Sequence, residues 1–245
     1  MAQALVTGAT SGIGQAIALA LHGAGHQVIA VGRDAAALGR LADAGLTPLA
    51  LDLGDTAGLS ERLKAGLAGV VPDVLVNNAG MVAPPGNFCD MAEADIHRLV
   101  ATNLMQALLV THALAPQMRA RGKGHIFFSG SIAAHTPYAN MAVYAATKAA
   151  LGGFAQSLRL DLSPSGVRVT EIVAGRVESP LYKDVLSAEA RAAMYAGQTA
   201  VQPEDVAAMV LAVLAMPAHV DVARFDILPT RQPVTPQVPS EKEKK

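Results

Sequence analysis

A tyrosine and a lysine lie four residues apart, at Tyr144 and Lys148, and Ser131 lies thirteen residues before the tyrosine. On a helix, positions i and i+4 share one face, so the lysine ammonium would lie beside the phenol. A free tyrosine titrates near pH ~10, and a neighbouring cation lowers that pKa because it favours the phenolate. Ser131, on a separate element, could hydrogen-bond the same substrate oxygen. These residues predict general acid–base chemistry, although the Tyr-x-x-x-Lys spacing taken alone more often marks an ordinary amphipathic helix.

A glycine-rich turn follows the first apolar segment of the chain, residues 4–7. Gly8, Gly12 and Gly14 have the spacing G-x-x-x-G-x-G, and apolar residues then recur at helical intervals. Glycines let the backbone bend tightly and approach a pyrophosphate, and the helix that follows offers N–H groups and a positive dipole end. The spacing differs from G-x-G-x-x-G, and tight packing of a strand on a helix would also require glycines. The order strand, turn, helix favours a dinucleotide site.

Together these motifs resemble those of the short-chain dehydrogenase/reductase family, from about residue 3 to about residue 231. The glycine turn is similar to the family's cofactor motif, and residues 77–80 are similar to its Asn-Asn-Ala-Gly motif. The residues that match the family's catalytic tetrad in order and spacing are Asn103, Ser131, Tyr144 and Lys148. Matches in register over nearly the whole chain exclude chance similarity.

The resemblance implies reversible hydride transfer between a nicotinamide cofactor and a secondary alcohol or ketone. Tyr144 would exchange the hydroxyl proton, and Ser131 would hydrogen-bond the carbonyl oxygen and support its developing charge. Lys148 would lower the pKa of Tyr144 and bind the nicotinamide ribose. The backbone carbonyl of Asn103 would hold a water that links Lys148 to solvent. By residue type alone, Asn103 could equally be an exposed polar residue of a long helix.

The resemblance also implies which residues surround the cofactor. Asn78 would support the sheet and line the adenosine site, although a buried asparagine can also simply hold backbone groups together. Asp52 would contact the adenine amino group, although it could equally cap a strand end. The predicted cofactor-binding residues are Gly8, Thr10, Ser11, Gly12, Ile13, Gly14, Arg33, Asp52, Asn78, Ala79, Gly80, Tyr144, Lys148, Gly175, Val177 and Ser179.

The end of the second predicted strand favours NADP over NAD. An NAD-selective site usually places a carboxylate there, whereas this chain has Gly32 followed by Arg33. A guanidinium can grip a 2′-phosphate through paired hydrogen bonds. Many NADP-dependent members of the family carry a second basic residue at the position of Ser11. This chain therefore has one of the two basic residues that are typical of NADP binding. Alternatively, Arg33 is a solvated residue and Asp34 an N-cap, or Asp34 turns inward to the ribose of NAD.

The segment after the sixth predicted strand corresponds to the family's Pro-Gly stretch that covers the nicotinamide. Ala174 replaces the usual proline, so the turn loses a fixed φ and we expect it to be more mobile. Ser179 stands where a threonine often binds the carboxamide. Residues 180–200 fall where the family places its variable substrate lid, and their apolar positions could also make a plain surface helix.

The end of the predicted domain resembles one subgroup of the family. The chain reads Pro-Thr-Arg-Gln at residues 229–232, where many members have a glycine-rich segment. The subgroup that ends in Pro-Thr-x-Gln includes NADP-dependent 3-hydroxy acid (serine-type) dehydrogenases and related ketone reductases. Because its members act on varied substrates, the subgroup alone leaves the substrate open.

Apolar strands alternate with helical patterns along the chain, which predicts an α/β fold: one Rossmann-type, doubly wound parallel sheet with helices on both faces. We expect a single catalytic domain at residues 1–231 and an extended or mobile tail at 232–245. The predicted strands are 3–7, 26–31, 47–51, 73–76, 124–129, 167–173 and 224–228. The predicted helices are 13–24, 35–43, 56–68, 93–119, 142–162 and 203–216.

Composition limits the partners. The net charge is -1 with no basic run inside the domain, which argues against nucleic acid. No uninterrupted apolar run is long enough to span a bilayer and no signal peptide is visible, so we expect no membrane partner. Cys89 is the only cysteine, which fits a reducing cytosol, and we predict a cytoplasmic protein. The seven histidines lack metal-ligand spacing, and we expect His125 and His135 to face solvent or cap a strand.

We expect a homotetramer, or at least a homodimer. The helix predicted at 142–162 carries more apolar residues than one sheet face requires, and in the family it forms the main interface with the helix near 96–118. The alternative is that the surplus is buried core. Two other functions were weighed: a non-catalytic NADP(H)-binding sensor, which would most naturally have lost Tyr144 or Lys148, and a nucleotide-sugar epimerase or dehydratase, which usually needs a larger C-terminal domain.

Overall fold

The computed structural model describes residues 1–136, 138–197 and 199–231. The strands of this part of the chain are β1 (Gln3–Thr7), β2 (Gln27–Gly32), β3 (Thr47–Ala50), β4 (Val74–Asn77), β5 (Gly124–Ser129), β6 (Val167–Ala174) and β7 (Arg224–Ile227). They form one parallel sheet in the order β3-β2-β1-β4-β5-β6-β7. The order reverses between β1 and β4, and ligands of open α/β sheets bind at the carboxyl ends of the strands beside such a point.

Eight α-helices connect and cover the strands within the described residues. They are α1 (Gly12–Gly23), α2 (Ala35–Asp43), α3 (Leu59–Leu67), α4 (Glu93–Val100), α5 (Gln106–Arg121), α6 (Ala142–Leu162), α7 (Ala188–Tyr195) and α8 (Pro203–Leu214). One apolar cluster packs α1, α2 and α8 on the first face of the sheet, and a second packs α3, α5 and α6 on the other. The predicted fold class, a doubly wound Rossmann-type sheet, is confirmed.

Three predicted helical segments differ from the structure by more than two residues at one end or in the type of helix, and the other helix ends agree within two residues. α3 starts at Leu59 rather than residue 56, because Gly58 precedes it with a φ of +60° that ends the preceding turn. The helix predicted at 93–119 is a continuous helical run in which a π-helical turn, Ala101–Met105, separates α4 from α5. α7 was predicted only as one alternative for the lid segment, and Ser187 caps it by accepting a hydrogen bond from the Ala190 N–H at 3.2 Å.

The helical run from Glu93 to Arg121 is, by length and composition only, long and apolar enough to cross a membrane. Half of its most apolar window is buried inside the protein, as in the core helix of a globular domain. Asn103, Gln106 and Thr111 are buried polar residues within it, so the run is not uninterrupted in apolar character. The single-domain boundary stays a prediction, and the predicted tail at 232–245 lies outside the described residues.

Candidate active site

The turn between β1 and α1 requires its glycines. Gly8 has a φ of +65° and Gly12 a φ of +52°. A Cβ at Gly14 would lie 2.3 Å from the Gly8 carbonyl oxygen, so no side chain fits there. Ser11 precedes α1 in an extended conformation and makes no side-chain cap bond. The first N–H groups of α1 are therefore available to an anion, and the turn fits the pyrophosphate of a dinucleotide.

Thr7, at the end of β1, ties that turn to the next strand of the sheet. Its Oγ1 accepts hydrogen bonds from the N–H groups of Asn78 at 2.9 Å and Ala79 at 3.1 Å. The Asn78 side chain donates to the Thr7 carbonyl oxygen at 3.2 Å and accepts from the Ser129 hydroxyl at 3.1 Å. The carboxyl ends of β1, β4 and β5 are thus joined by side chains, which confirms the structural interpretation of Asn78.

Ser131 and Tyr144 converge as the sequence predicts. β5 ends at Ser129, and Ser131 caps the short 3₁₀ turn Ile132–Ala134 by accepting a hydrogen bond from the Ala133 N–H at 3.2 Å. Tyr144 lies in the first turn of α6 and is half-buried. The Ser131 side chain lies close enough to the Tyr144 hydroxyl to act on it as a hydrogen-bond partner, which lowers the pKa of the phenol. Two hydroxyl groups from separate elements therefore face one position.

Lys148 lies one turn further along α6 and is buried, with 6% of its surface exposed. Its Nζ donates to the Ser129 carbonyl oxygen at 2.7 Å and lies 5.9 Å from the centroid of the Tyr144 ring, within the range of a cation–π contact. Burial lowers the pKa of Lys148 to about 8, while the nearby Glu171 carboxyl acts in the opposite direction. A lysine with this pKa exchanges its proton near neutral pH.

The pKa of Tyr144 differs from the sequence-based expectation. Burial raises it above 10.0, and the hydrogen bond with Ser131 only partly opposes that shift. The expected net lowering of this pKa is therefore not found in this structure, because burial disfavours the charged phenolate and Lys148 is not among the causes that shift the pKa. Tyr144 is consequently held in its neutral, proton-donating form.

Asn103 is buried in the π-helical turn, so the alternative of an exposed polar residue is wrong. Its Oδ1 accepts from the Met81 N–H at 2.7 Å, and its Nδ2 donates to the Met81 carbonyl oxygen at 3.0 Å. The same Nδ2 donates to Thr147 Oγ1 at 3.3 Å. A Cβ at Gly80 would lie 3.6 Å from the Lys148 Nζ, so the Asn-Asn-Ala-Gly segment lies close against the lysine.

The carboxyl end of β2 leaves little room for the carboxylate of an NAD-selective site. A Cβ at Gly32 would lie 2.5 Å from Thr10 Cγ2. Arg33 is exposed beside this position. Asp34 caps α2 by accepting a hydrogen bond from the Ala37 N–H at 3.0 Å, and that bond is the main cause of its lowered pKa. The N-cap interpretation of Asp34 is confirmed.

Asp52 and Ile13 occupy positions that also serve local structure. Asp52 follows β3, is exposed, and accepts a hydrogen bond from the Gly54 N–H at 2.9 Å, so the strand-end cap interpretation is confirmed. Ile13, in the first turn of α1, is partly buried and packs against the apolar core. These roles leave the backbone of Ile13 and the second carboxylate oxygen of Asp52 free to contact a cofactor.

The segment after β6 lies against the glycine turn. The ladder continues through Ala174, and the Gly175 N–H donates to the Ile227 carbonyl oxygen at 2.9 Å, so the strand keeps its pairing where the usual proline is absent. A Cβ at Gly12 would lie 3.2 Å from Ser179 Cβ, which places this segment directly over the turn. Val177 is buried and pairs with Val201 in an isolated parallel bridge, so any cofactor contact from Val177 would come from its backbone.

Glu171 is a buried carboxyl that sequence analysis missed. It lies on β6 with 1% of its surface exposed, and among the described residues neither side-chain oxygen has a hydrogen-bond partner. A Cβ at Gly130 would lie 2.6 Å from Glu171 Oε1, and one at Gly152 would lie 2.7 Å away. The side chain therefore fills the space beneath the Ser131 turn and α6, and burial raises its pKa. The sequence signal that could have revealed this carboxyl is the pair of glycines, Gly130 and Gly152, on the two elements that face it.

A tyrosine of the lid segment, Tyr182, was missed as well. Burial raises its pKa, and Tyr144, Tyr195 and Tyr138 lie close enough to raise it further. These are the four tyrosines of the chain. Tyr182 of the lid segment therefore lies near Tyr144. The small number of tyrosines was the only hint of this in the sequence.

The expectation that His125 faces solvent is wrong. Its side chain is buried, its ring stacks on Phe127 with centroids 4.0 Å apart, and its Nε2 lies 2.8 Å from Thr170 Oγ1. Burial lowers the pKa of His125 to about 3. His135 is exposed, as predicted. Among the described residues, no group of three His, Cys, Asp or Glu side chains could hold a metal ion.

Comparison with known proteins gives the family. Residues 2–190 match the family described as short chain dehydrogenase. An uncharacterized short-chain type dehydrogenase/reductase, y4eK, from Sinorhizobium fredii is 43% identical, covering 94% of this chain and 92% of the relative. Sulfoacetaldehyde reductase 2 from Chromohalobacter salexigens is 36% identical, covering 93% and 94%. The closed form of a serine dehydrogenase complexed with NADP+ matches with a TM-score of 0.88 and 34% identity, covering 94% and 96%.

The match extends over most of the chain and includes the glycine turn, the Ser131 turn and the first part of α6. The sequence-based resemblance is therefore confirmed. The chain belongs to the short-chain dehydrogenase family and is an oxidoreductase that acts on CH–OH groups.

Proposed function

We propose that this protein catalyses reversible, NADP-dependent interconversion of an alcohol and the corresponding ketone or aldehyde, with Tyr144 as the acid–base residue. The observation that carries the proposal is the convergence of the Tyr144 and Ser131 hydroxyls beside buried Lys148, on the strand edge that also holds the glycine turn. The nicotinamide supplies or accepts the hydride when it is bound. The protein's residues supply positioning, a proton and stabilisation of the substrate oxygen.

The proton transfer follows from the pKa of each group. Because burial keeps Tyr144 neutral, the phenol can donate its proton to a carbonyl oxygen as charge develops there. The Ser131 hydroxyl donates a hydrogen bond to the same oxygen. Neutral Tyr144 suits carbonyl reduction near neutral pH, whereas alcohol oxidation needs the phenolate and is favoured at higher pH.

Lys148 is proposed to restore the proton of Tyr144. Its Nζ is anchored to the Ser129 carbonyl oxygen, and its pKa of about 8 allows it to gain or lose a proton in the working range. Buried Asn103 holds the loop at Met81 and, through Thr147, the turn of α6 that carries the tyrosine. Asn103 is therefore proposed as a positioning residue and Lys148 as part of the proton path.

NADP is the proposed cofactor because of the geometry beside β2. Gly32 faces Thr10 closely, so a carboxylate cannot replace it without displacing Thr10, and Asp34 is engaged as the cap of α2. Exposed Arg33 remains to pair with a 2′-phosphate. The similar serine dehydrogenase is described in complex with NADP+. The other predicted cofactor residues are proposed to keep the roles that the family resemblance implies.

A turnover assay tests the proposal. The purified protein is mixed with reduced nicotinamide cofactor and a panel of ketones and aldehydes, and the loss of nicotinamide absorbance is followed with NADPH and with NADH. We expect turnover with higher kcat/KM for NADPH. Cofactor binding without turnover of any panel member would favour the sensor alternative. A clear preference for NADH would overturn the cofactor assignment alone.

We propose that the protein assembles as a homodimer or homotetramer through α6 and α5. On α6, Leu151 and Leu162 are buried in the core, which accounts for part of the apolar surplus, while Gly153 and Leu160 stay exposed. Small and apolar exposed residues along one helix suit close packing against a second copy. Light scattering at micromolar concentration tests this, and a monomer mass would contradict it.

We also propose a cytoplasmic location. Cys89 is free and exposed, and a lone exposed thiol suits a reducing compartment. Fractionation of cells that produce the protein, followed by detection of the intact chain, tests the location. Recovery from a membrane or secreted fraction would contradict it.

A further inference from the structure

A cavity of about 310 Å³ opens beside Tyr144. One wall is the loop after β4, residues 83–92, and the other is the start of α6, residues 140–144. Because Tyr144 belongs to the lining, a substrate whose oxygen faces the phenol would extend its body into this cavity. The cavity therefore bears on which alcohols and ketones the protein accepts.

The lining of this cavity is mainly apolar. Pro84, Pro85, Phe88, Met91 and Val143 contribute side chains to it. Phe88 leaves 56% of its surface exposed, although it is a large apolar side chain. An exposed aromatic residue at a cavity is a typical contact for an apolar ligand group.

The charged residues that line the cavity in the described part of the chain are both acidic, Asp90 and Asp95. Asp95 already pairs with Arg98, with 2.6 Å between the Arg98 Nη2 and the Asp95 Oδ1, and Asp90 is exposed. No Lys, Arg or His lines the cavity among the described residues. A carboxylate or sulfonate placed there would lose water without gaining a cation and would lie near like charges.

Arg176, in the segment after β6, lies near the lid residue Tyr182 and is already engaged. It is half-buried, and its Nη1 donates to the Met194 carbonyl oxygen at 2.8 Å, near the carboxyl end of α7. A cation at that end of a helix is also favoured by the helix dipole. Arg176 therefore holds the lid helix, and it is not among the residues that line the cavity.

We propose that the substrate of this protein is an uncharged alcohol, ketone or aldehyde whose apolar body occupies the cavity between residues 83–92 and 140–144. This inference rests on the proposed function and narrows its substrate class. The proposed substrate class differs from the charged compounds, sulfoacetaldehyde and serine, after which two similar proteins are named. It also argues against the 3-hydroxy acids that the C-terminal motif suggested.

Matched pairs of substrates test the charge preference. Each pair consists of a keto ester and its free keto acid, for example methyl 3-oxobutanoate and 3-oxobutanoate, assayed with NADPH at the same pH. We expect kcat/KM for the ester to exceed that for the acid by about tenfold, the scale of one like-charge contact near a protein surface. Equal or higher kcat/KM for the acid would overturn the proposal.

Two variants test whether the acidic residues of the cavity cause the preference for the ester. Asp90→Asn should raise the ratio of kcat/KM for the acid to kcat/KM for the ester several-fold, whereas Asp161→Asn, an exposed carboxylate on α6 outside the cavity, should leave both values unchanged. A preference for the acid that disappears in Arg176→Met would assign anion recognition to the lid and overturn the proposal. If no ester, acid or neutral ketone is turned over although NADPH binds, the proposed function itself fails.

Discussion

The candidate site has a nucleotide half, formed by the glycine turn at residues 8–14 and the end of β2 at Gly32, and a substrate half, formed by the residues around Tyr144 and the loop at 83–92. These two halves are built differently. In the nucleotide half, neighbouring atoms fill the available space: a Cβ at Gly14 would lie 2.3 Å from the Gly8 carbonyl oxygen, and a Cβ at Gly32 would lie 2.5 Å from Thr10 Cγ2. In the substrate half, the loop at 83–92 is mostly exposed, and a Cβ at Gly86 would meet nothing nearer than 4.0 Å. The first half therefore tolerates few residue types, whereas the second can change its lining without disturbing the fold.

The halves also differ in chemistry. Asp34, the titrating group with a resolved shift at the nucleotide end, is exposed and its pKa is lowered by a cap bond. The substrate half instead holds Tyr144, Lys148 and Glu171, whose pKa values are all shifted by burial. We infer that binding specificity for the cofactor resides in the first half and pH dependence in the second.

The largest expected effect separates chemistry from binding. Tyr144→Phe keeps the ring and removes the hydroxyl that exchanges the proton, so kcat should fall by about 10²–10⁴-fold, the usual contribution of a general acid or base. NADPH binding, measured by fluorescence titration, should change little because the nucleotide half is intact. Activity within a few-fold of the unmodified protein would remove Tyr144 from the mechanism.

A pair of glycine substitutions tests the steric contrast. Gly14→Ala forces a Cβ against the Gly8 carbonyl oxygen, so it should destabilise the protein by about 1–3 kcal/mol and abolish tight NADPH binding. Gly39→Ala is the matched control, because its Cβ meets nothing within 4 Å and the residue is exposed on α2, away from the proposed subunit interface. That control should be stabilising by about 0.5–1 kcal/mol. Equal Tm values for both variants would contradict the account.

Arg33→Ala should affect only the nucleotide half. Loss of a charged hydrogen bond is worth about 1–3 kcal/mol, so the preference for NADP over NAD should fall by roughly 5- to 150-fold. The lower part of that range is expected, since Ser11 adds no second charge. The KM for NAD should stay nearly constant, and added salt should weaken NADP binding more than NAD binding. A parallel rise in both KM values would instead indicate a structural role.

The smallest expected effect concerns Glu171 in the substrate half. Burial raises its pKa in the folded state above 4.5, so the stability it contributes is present below pH 4.5 and is lost as pH rises through the folded-state pKa. Thermal unfolding of the unmodified protein from pH 4 upward should therefore show a decline in Tm that Glu171→Gln reduces. Asp161→Asn is the control, and identical slopes for all three proteins would show that Glu171 is not buried as described.

The sequence predicts the fold and the glycine turn between β1 and α1, because both depend on patterns within short segments of the chain. Glycine spacing follows from the sterics of one turn, and strand periodicity follows from burial on both sheet faces. The competing interpretations of Asp34 and Asp52 as caps were also available from position alone. None of these inferences needs contacts between distant residues.

The substrate half is harder to predict because its properties arise from burial by distant elements. His125 resembles a polar strand-edge residue until Phe127 and Thr170 enclose it. The pKa of Tyr144 rises because the fold removes the phenol from water, an effect that the spacing to Lys148 cannot show. Glu171 is recognisable only when Gly130 and Gly152 face it from two other elements.

The central claim, direct hydride transfer from the cofactor to a substrate carbon, is tested most directly with deuterium. A ketone that is turned over is reduced with NADPH labelled at C4 in either of the two possible configurations, and the alcohol is analysed by mass spectrometry and NMR. The account predicts one deuterium on the carbinol carbon with one of the two labelled cofactors and none with the other. Alcohol formed without deuterium from either cofactor would contradict it.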